Sequence, residues 1–387
     1  MYFKIMQIPG FRDEPFEWYR NMRNHSPVVK DGKTVLVFKY DDCKEILGNF
    51  RVFSSQFRDF MDREVAAQLN MMAAPSILIL DPPKHTKMRN LVNRAFTPKR
   101  IQSYDGEIRK IAETLLEQEK NTQFDLVTSL SYPLPVLVIS RILGVPEDQM
   151  PKFKEWSDKL AMDLGRMGVD LALQKEMSEY FGKLIDERRR NLGDDLISLL
   201  IESEVDGERL TRQEITGFSI LLLAAGNETT TNLIGNSILT LSEYSGSFQM
   251  LKEKPSLIQS AVEESLRYRS PVQSTRRVAK ENYNIGGTEI NKGDFVSVFL
   301  GSANRDEDIF TDPENFIPDR KENRHIAFGE GVHFCLGAPL ARLEAKIVLE
   351  AVTEKYSDLR AVKPSPDDRL DSDIMYGYRK LLVKREN

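Results

Sequence analysis

A chain of 387 residues with 41% apolar and 29% charged side chains has the balance of a globular protein with a sizeable core. Its formal net charge of −5 argues against nucleic-acid binding, which calls for a basic excess or stripe. Two cysteines, Cys43 and Cys335, make no disulfide framework. No stretch approaches the ~20 uninterrupted apolar residues of a membrane span. Met1-Tyr2-Phe3-Lys4-Ile5 lacks the apolar core of a signal peptide, so a cytoplasmic location without membrane contact is expected.

In chain order, Asp31-Gly32 between two apolar runs predicts a β-hairpin over 28–37. Asp41 and Asp42 before Cys43, with a stop at Gly48, predict a short helix in which Cys43 is a structural thiol. Residues 54–80 show no steady period, and irregular segments of that length are usually functional or mobile. From Pro83 to about Leu200 the pattern is helical, with breaks at Thr97-Pro98 and Leu143-Gly144-Val145-Pro146. Thr211-Arg212-Gln213-Glu214 is a capping box. It opens a helix through Ile220, Leu221, Leu222, Leu223, Ala224 and Ala225 that is apolar nearly all round and should run through the centre. Beyond Ser270-Pro271 the signals turn to short strands at 283–285 and 288–290 around Gly286-Gly287, then at 295–298 and 381–383. With no repeat, low-complexity tract or linker, the chain reads as one integrated domain over 1–387, mainly α with small peripheral β-sheets.

Four local patterns carry chemistry. Cys335 lies in Phe328-Gly329-Glu330-Gly331-Val332-His333-Phe334-Cys335-Leu336-Gly337, a glycine-rich loop that opens onto an apolar helix. Such a loop aims the sulfur at the first N–H groups of the helix and favours a thiolate, a ligand suited to haem iron. In the long helix, Ala225-Gly226-Asn227-Glu228-Thr229-Thr230-Thr231 sets poor helix formers beside one carboxylate. That suggests a local opening with a proton route; a kinked core helix with an incidental glutamate is the plain alternative. Glu264 and Arg267 are spaced i, i+3, as are Glu17–Arg20 and Glu187–Arg190, so the spacing by itself means a surface pair. His85 and Arg89 share a helix face after Asp81-Pro82-Pro83, where two cations call for an anion nearby.

Together these patterns resemble the cytochrome P450 family. The Cys335 loop matches its Phe-Gly-x-Gly-x-(Arg/His)-x-Cys-x-Gly pattern at every specified position. The stretch Ala225, Gly226, Glu228, Thr229, Thr230 matches (Ala/Gly)-Gly-x-(Asp/Glu)-Thr-Thr, and Glu264 with Arg267 matches Glu-x-x-Arg, completed by Arg320 in Phe316-Ile317-Pro318-Asp319-Arg320. Order and spacing agree from about Asp81 to Arg342. The resemblance implies the cytochrome P450 fold, a long central helix over a buried haem b (iron protoporphyrin IX).

It also implies residue roles. Cys335 becomes the axial thiolate, with Phe328, Gly329 and Gly337 around it and Ala225 against the haem. His85, Arg89, Arg277 and His333 become propionate donors, and Glu228 and Thr229 the proton relay to dioxygen. Glu264, Arg267 and Arg320 become a structural cluster. The substrate pocket should include Leu221, Ala225, Val272, Gln273 and parts of 54–80, with Met375 a weaker candidate; its apolar lining implies an apolar substrate. Electrons should come from a separate ferredoxin or flavodoxin-type partner, attracted by Arg94, Lys99, Arg100 and Arg342. The competing readings are a peroxide-driven enzyme of the same fold and a haem-binding sensor without turnover. A zinc site from His325, His333 and Cys335 lacks the usual ligand spacing.

Overall fold

The computed structural model of the chain describes residues 14–56, 76–166 and 170–386, and among them the architecture is mainly helical with small sheets. In chain order the elements begin with α1 (Phe16–His25), β1 (Val28–Asp31), β2 (Thr34–Val37), α2 (Tyr40–Gly48) and β3 (Phe53–Ser54). Then come α3 (Lys84–Ala95), α4 (Pro98–Gln102), α5 (Asp105–Gln118), β4 (Gln123–Asp125), α6 (Pro133–Ile142), α7 (Met150–Arg166), α8 (Leu171–Arg190) and α9 (Leu196–Glu202). The hairpin β5 (Glu204–Val205) and β6 (Glu208–Arg209) precedes the long α10 (Arg212–Glu243), α11 (Ser247–Glu253) and α12 (Ile258–Tyr268). The chain closes with β7 (Thr275–Ala279), β8 (Tyr283–Ile285), β9 (Thr288–Ile290), β10 (Phe295–Val298), α13 (Leu300–Ala303), α14 (Ala338–Lys355), β11 (Asp358–Ala361) and β12 (Leu382–Glu386).

The predicted starts and stops coincide with real caps. Thr97 Oγ1 accepts the Arg100 N–H at 3.2 Å and begins α4, and Asp170 takes the Ala172 and Leu173 N–H groups at the head of α8. At α10 the capping box is reciprocal: Thr211 N donates to Glu214 Oε2 at 2.8 Å, and Glu214 N to Thr211 Oγ1 at 3.2 Å. The helix is then unbroken to Glu243, threonines included. Thr231 Oγ1 donates to Ser131 O at 3.0 Å. The first hairpin turns on Gly32-Lys33, since Asp31 already pairs with Thr34. Strand β4, absent from the sequence reading, exists because β12 returns to pair with it, Val383 opposite Phe124.

The chain divides into two compact units. The first holds residues 1–54, 107–132 and 229–387. Its five-stranded sheet runs β1-β2-β10-β7-β3, antiparallel except where β10 lies parallel to β2. An apolar cluster that includes Val35, Val37, Cys43, Ile46, Phe53, Val296 and Val298 packs this sheet to α2. The α10 segment 230–241 is buried without interruption although it includes Thr230, Thr231, Asn232, Asn236, Ser237 and Thr240, whereas in the apolar run 220–225 Leu222 and Leu223 alone are buried. The second unit holds residues 55–106 and 133–228; Phe153, Trp156, Tyr180 and Phe181 form its aromatic centre, with ring centroids 5.0–6.5 Å apart.

One charged cluster frames the first unit. Glu264 and Arg267 on α12 are wholly buried and paired through two 2.8 Å hydrogen bonds. Arg320 Nε adds bonds of 3.1 and 3.0 Å to the same carboxylate, which also accepts the Ile317 N–H and the Asn323 amide. Both guanidinium groups spend their remaining donors on carbonyls of Asn304, Thr311, Asp312, Pro313 and Asn315. Such satisfaction makes a buried charge tolerable, and losing one partner strands the others. Glu264→Ala is therefore expected to cost about 3–5 kcal/mol, read as a lowered urea midpoint; a change within error would show that the cluster carries no such load.

Candidate active site

The Cys335 loop is built on backbone hydrogen bonds. Cys335 N donates to Phe328 O at 2.9 Å, Gly329 N to Ile326 O at 2.9 Å and Phe334 N to Gly331 O at 3.1 Å. Gly331 has φ +73°, and a Cβ there would lie 3.0 Å from Gly48 Cα and Leu47 O at the end of α2. Only glycine combines that conformation with that approach. Cys335 emerges exposed, two residues before Gly337, the N-cap of α14. The other cysteine differs in every respect: Cys43 is sealed in the core, donates to Val37 O at 3.4 Å, and burial pushes its thiol well up. One thiol is available for ligation.

Other sequence candidates fall in the same unit. Arg277 sits on β7 opposite Val296 of β10, nearly buried, with Nη1 on Arg276 O at 2.8 Å. His333 is half-buried in the short 3-10 turn Gly331–His333. Val272 forms an antiparallel bridge with Met375, flanked by Gln273 N to Ile374 O at 2.6 Å and Tyr376 N to Pro271 O at 2.8 Å. Two residues far apart in sequence are thus neighbours. The Gln273 side chain is buried and packed against Gly301; its Nε2 donates to Ser270 O at 2.6 Å, while Oε1 has no hydrogen-bond partner among the described residues. Thr229 and the buried Thr230 follow on α10.

The second unit carries the rest. His85 is buried at the start of α3, where burial and then the Arg89 charge lower its pKa despite Asp81. Arg89, one turn on, has Nε on Asn93 Oδ1 at 3.2 Å. Leu221, Ala225 and Glu228 lie at i, i+4 and i+7 and share one face of α10. Gly226 sits where a Cβ would come within 3.2 Å of Ile139. Burial raises the Glu228 carboxyl above the ordinary range. Residues 57–75 of the expected pocket segment lie outside the described residues.

Several residues that the sequence reading placed elsewhere prove to be engaged. Arg342 forms a fork on Glu263, Nε to Oε1 at 2.7 Å and Nη2 to Oε2 at 2.9 Å, and Arg100 pairs with Asp194 at 2.7 Å. Neither is an uncommitted cation for a partner. Burial would raise the Glu263 carboxyl, but the hydrogen bonds and charges of His325 and Arg342 outweigh it and hold it at about 2. Glu344 on α14 escaped the sequence reading altogether. It is fully buried, its Oε2 has no hydrogen-bond partner among the described residues, and burial pushes the carboxyl well above its ordinary value. A lone glutamate on the buried face of an apolar helix was the available signal.

An accessible cysteine in a glycine-bulged loop ahead of a helix, beneath a mainly helical fold, is the arrangement of a haem-thiolate protein. The Cytochrome P450 family model matches residues 7–375. Cytochrome P450 119 of Sulfurisphaera tokodaii is 40% identical over 379 residues, spanning 96% of this chain and 99% of that protein. The crystal structure of CYP109E1 from Bacillus megaterium in complex with testosterone superposes with a TM-score of 0.88 at 43% identity, covering 96% of this chain and 99% of the other. CYP109Q5 from Chondromyces apiculatus gives 0.89 at 36% identity, covering 98% and 97%.

The chain belongs to the cytochrome P450 family and is an oxidoreductase of the monooxygenase class. The family implies a haem cofactor, and the residues present fit one: an exposed thiol at Cys335, with Arg277 and His333 in the same unit. No helix among the described residues is long and apolar enough to cross a membrane.

The Glu344 placement has a measurable consequence. Its folded-state pKa lies above the unfolded value, so burial costs nothing while the group is protonated in both states. The cost builds up as pH rises from the unfolded value toward the folded one and is complete above it. Glu344→Gln should be more stable than the parent near about pH 8, with the difference vanishing toward about pH 4. Parallel pH–stability curves for the two proteins would contradict the buried-carboxyl assignment.

Proposed function

We propose that the whole chain acts as one haem-thiolate monooxygenase domain, inserting one atom of dioxygen into an apolar small molecule with electrons from a separate ferredoxin or flavodoxin-type donor. The observation that carries this reading is the contrast between the two thiols, Cys335 exposed at the head of α14 and Cys43 sealed. When bound, the haem supplies reductive activation of dioxygen, which thiolate ligation favours.

The chain's own residues do the rest. Cys335 would offer its sulfur to the iron, on a loop whose backbone is tied to Phe328 O. Arg277, His333, His85 and Arg89 each carry the N–H groups that a propionate donor would need. Glu228, whose carboxyl burial raises above its ordinary range, holds the proton, and Thr229 on the next position offers the hydroxyl through which it moves. This pair favours dioxygen over peroxide as the oxidant. Leu221 and Ala225 on one face of α10, and the bridged pair Val272 and Met375, are the candidates for substrate contact. One relative, CYP109E1, crystallised with testosterone and with corticosterone, supports a steroid-sized apolar substrate.

The purified protein, reduced with dithionite and exposed to carbon monoxide, should show a strongly red-shifted Soret band. Cys335→Ser should lose it; a haem band without that shift in the parent protein would remove the thiolate assignment. Thr229→Ala should retain haem and the red-shifted band. Its product yield should fall on the order of 10²-fold while reductant is still consumed. Unchanged yield per electron would take Thr229 out of the relay.

A further inference from the structure

Consecutive residues of α10 are held by different neighbours. A Cβ on Gly226 would lie 3.2 Å from Ile139 Cδ1 of α6, so the glycine lets these two helices close up. The next side chain, Asn227, is 2% exposed and donates from Nδ2 to Ser157 Oγ of α7 at 2.5 Å. Ser157 is itself buried and follows Trp156, whose ring stands edge-on to Tyr180 of α8 with centroids 5.3 Å apart. Phe153, one turn earlier on α7, meets Phe181 of α8 at 5.6 Å. These ring contacts pin α7, so it reaches α10 from a fixed place. Glu228 comes next on α10, and burial is the one influence that moves its carboxyl. Ile139, Ser157, Asn227 and Glu228 all belong to the second unit.

We propose that Asn227 and Ser157 are positioning residues: their hydrogen bond fixes the rotation of the α10 turn that presents Glu228 and Thr229, and so sets the direction in which the proton relay points. This rests on the haem-thiolate reading above. Consecutive helical residues stand about 100° apart around the axis, so a turn fixed at Asn227 carries Glu228 and Thr229 with it. The turn needs a hold from outside. Gly226 and the threonines at 229–231 are poor helix formers, and a helix weakened there can twist or bend. No charge or donor draws on the Glu228 carboxyl, so its direction is inherited from the backbone beneath it. Breaking the bond leaves a buried amide or hydroxyl in search of a partner, and the turn can resettle to supply one.

The test is the infrared stretch of carbon monoxide bound to the reduced, haem-loaded protein, with urea unfolding recorded in parallel. Carbon monoxide serves as a probe, because its stretching frequency follows the field and the donors around it. Glu228→Gln is the reference and should displace the parent band. Ser157→Ala deletes the acceptor atom on α7, away from the relay itself. It should split the parent band in two, as the turn takes up more than one setting. Ser157→Thr keeps the hydroxyl and should restore the single band. Asn227→Ala breaks the same bond from its other end and should also split the band; it carries the test should Ser157→Ala fail to fold. The double variant should show the pattern of either single one, with a stability loss smaller than their sum.

A single parent-like band in Ser157→Ala or Asn227→Ala would overturn the proposal even if stability fell, since the bond would then only hold two helices together. A split that Ser157→Thr leaves unrestored, or a parent-like band in Glu228→Gln, would overturn it as well. If the parent protein itself lacks the red-shifted Soret band, the haem-thiolate reading fails first and takes this proposal with it.

Discussion

One carboxylate holds the first unit together. Glu264, without solvent contact, is the acceptor for Arg267, Arg320, Asn323 and the Ile317 N–H. An isolated ionised group at that depth would be prohibitive; this one is repaid by a guanidinium on each side and further donors. Its partners span residues 304–323, a stretch with no regular element of its own. Through them the segment gains the order that helices and strands get from their own backbone bonds. The Cys335 loop begins immediately beyond it, so the accuracy of that loop depends on a charge pair that takes no part in chemistry.

The residue before it works in a second direction. Glu263 and Glu264 are neighbours on α12, about 100° apart around the axis. Glu264 faces the irregular segment, while Glu263 faces His325 and Arg342, one on either side of the loop. A single helix therefore braces the approach to the loop with one side chain and its two ends with the next. The burial of each matches its task. Glu264 is sealed, whereas Glu263 keeps 24% of its side-chain exposure.

Carboxyl groups in this chain divide by their surroundings. Glu263 and Glu264 are buried among cations and donors, and Glu263 is held low. Glu228 and Glu344 are buried without such compensation and are raised. Among the described residues, the uncompensated pair sits on the two helices that carry the reaction's candidate residues, α10 with Thr229 and α14 after Cys335. A carboxyl held above its ordinary range is better suited to donating a proton, while one held low by cations is suited to bracing.

The sequence by itself determined what short-range spacing encodes. The capping box of α10, the hairpin at 28–37, the turn at Gly286-Gly287 and the motif around Cys335 were all legible, because cap, turn and bulge geometry depend on residues within one turn of one another. The Glu264–Arg267 spacing was legible too, but it was indistinguishable from the exposed Glu17–Arg20 until the family resemblance supplied its context.

Only the tertiary structure decided which distant segments meet. It alone pairs β4 with β12, bridges Val272 to Met375, closes Arg342 on Glu263 rather than leaving it as a surface cation, and buries Glu344. Each depends on contacts between residues tens to hundreds of positions apart. A charge or a methionine carries no mark of its eventual neighbour, because the neighbour is chosen by the packing of whole elements and not by local propensity.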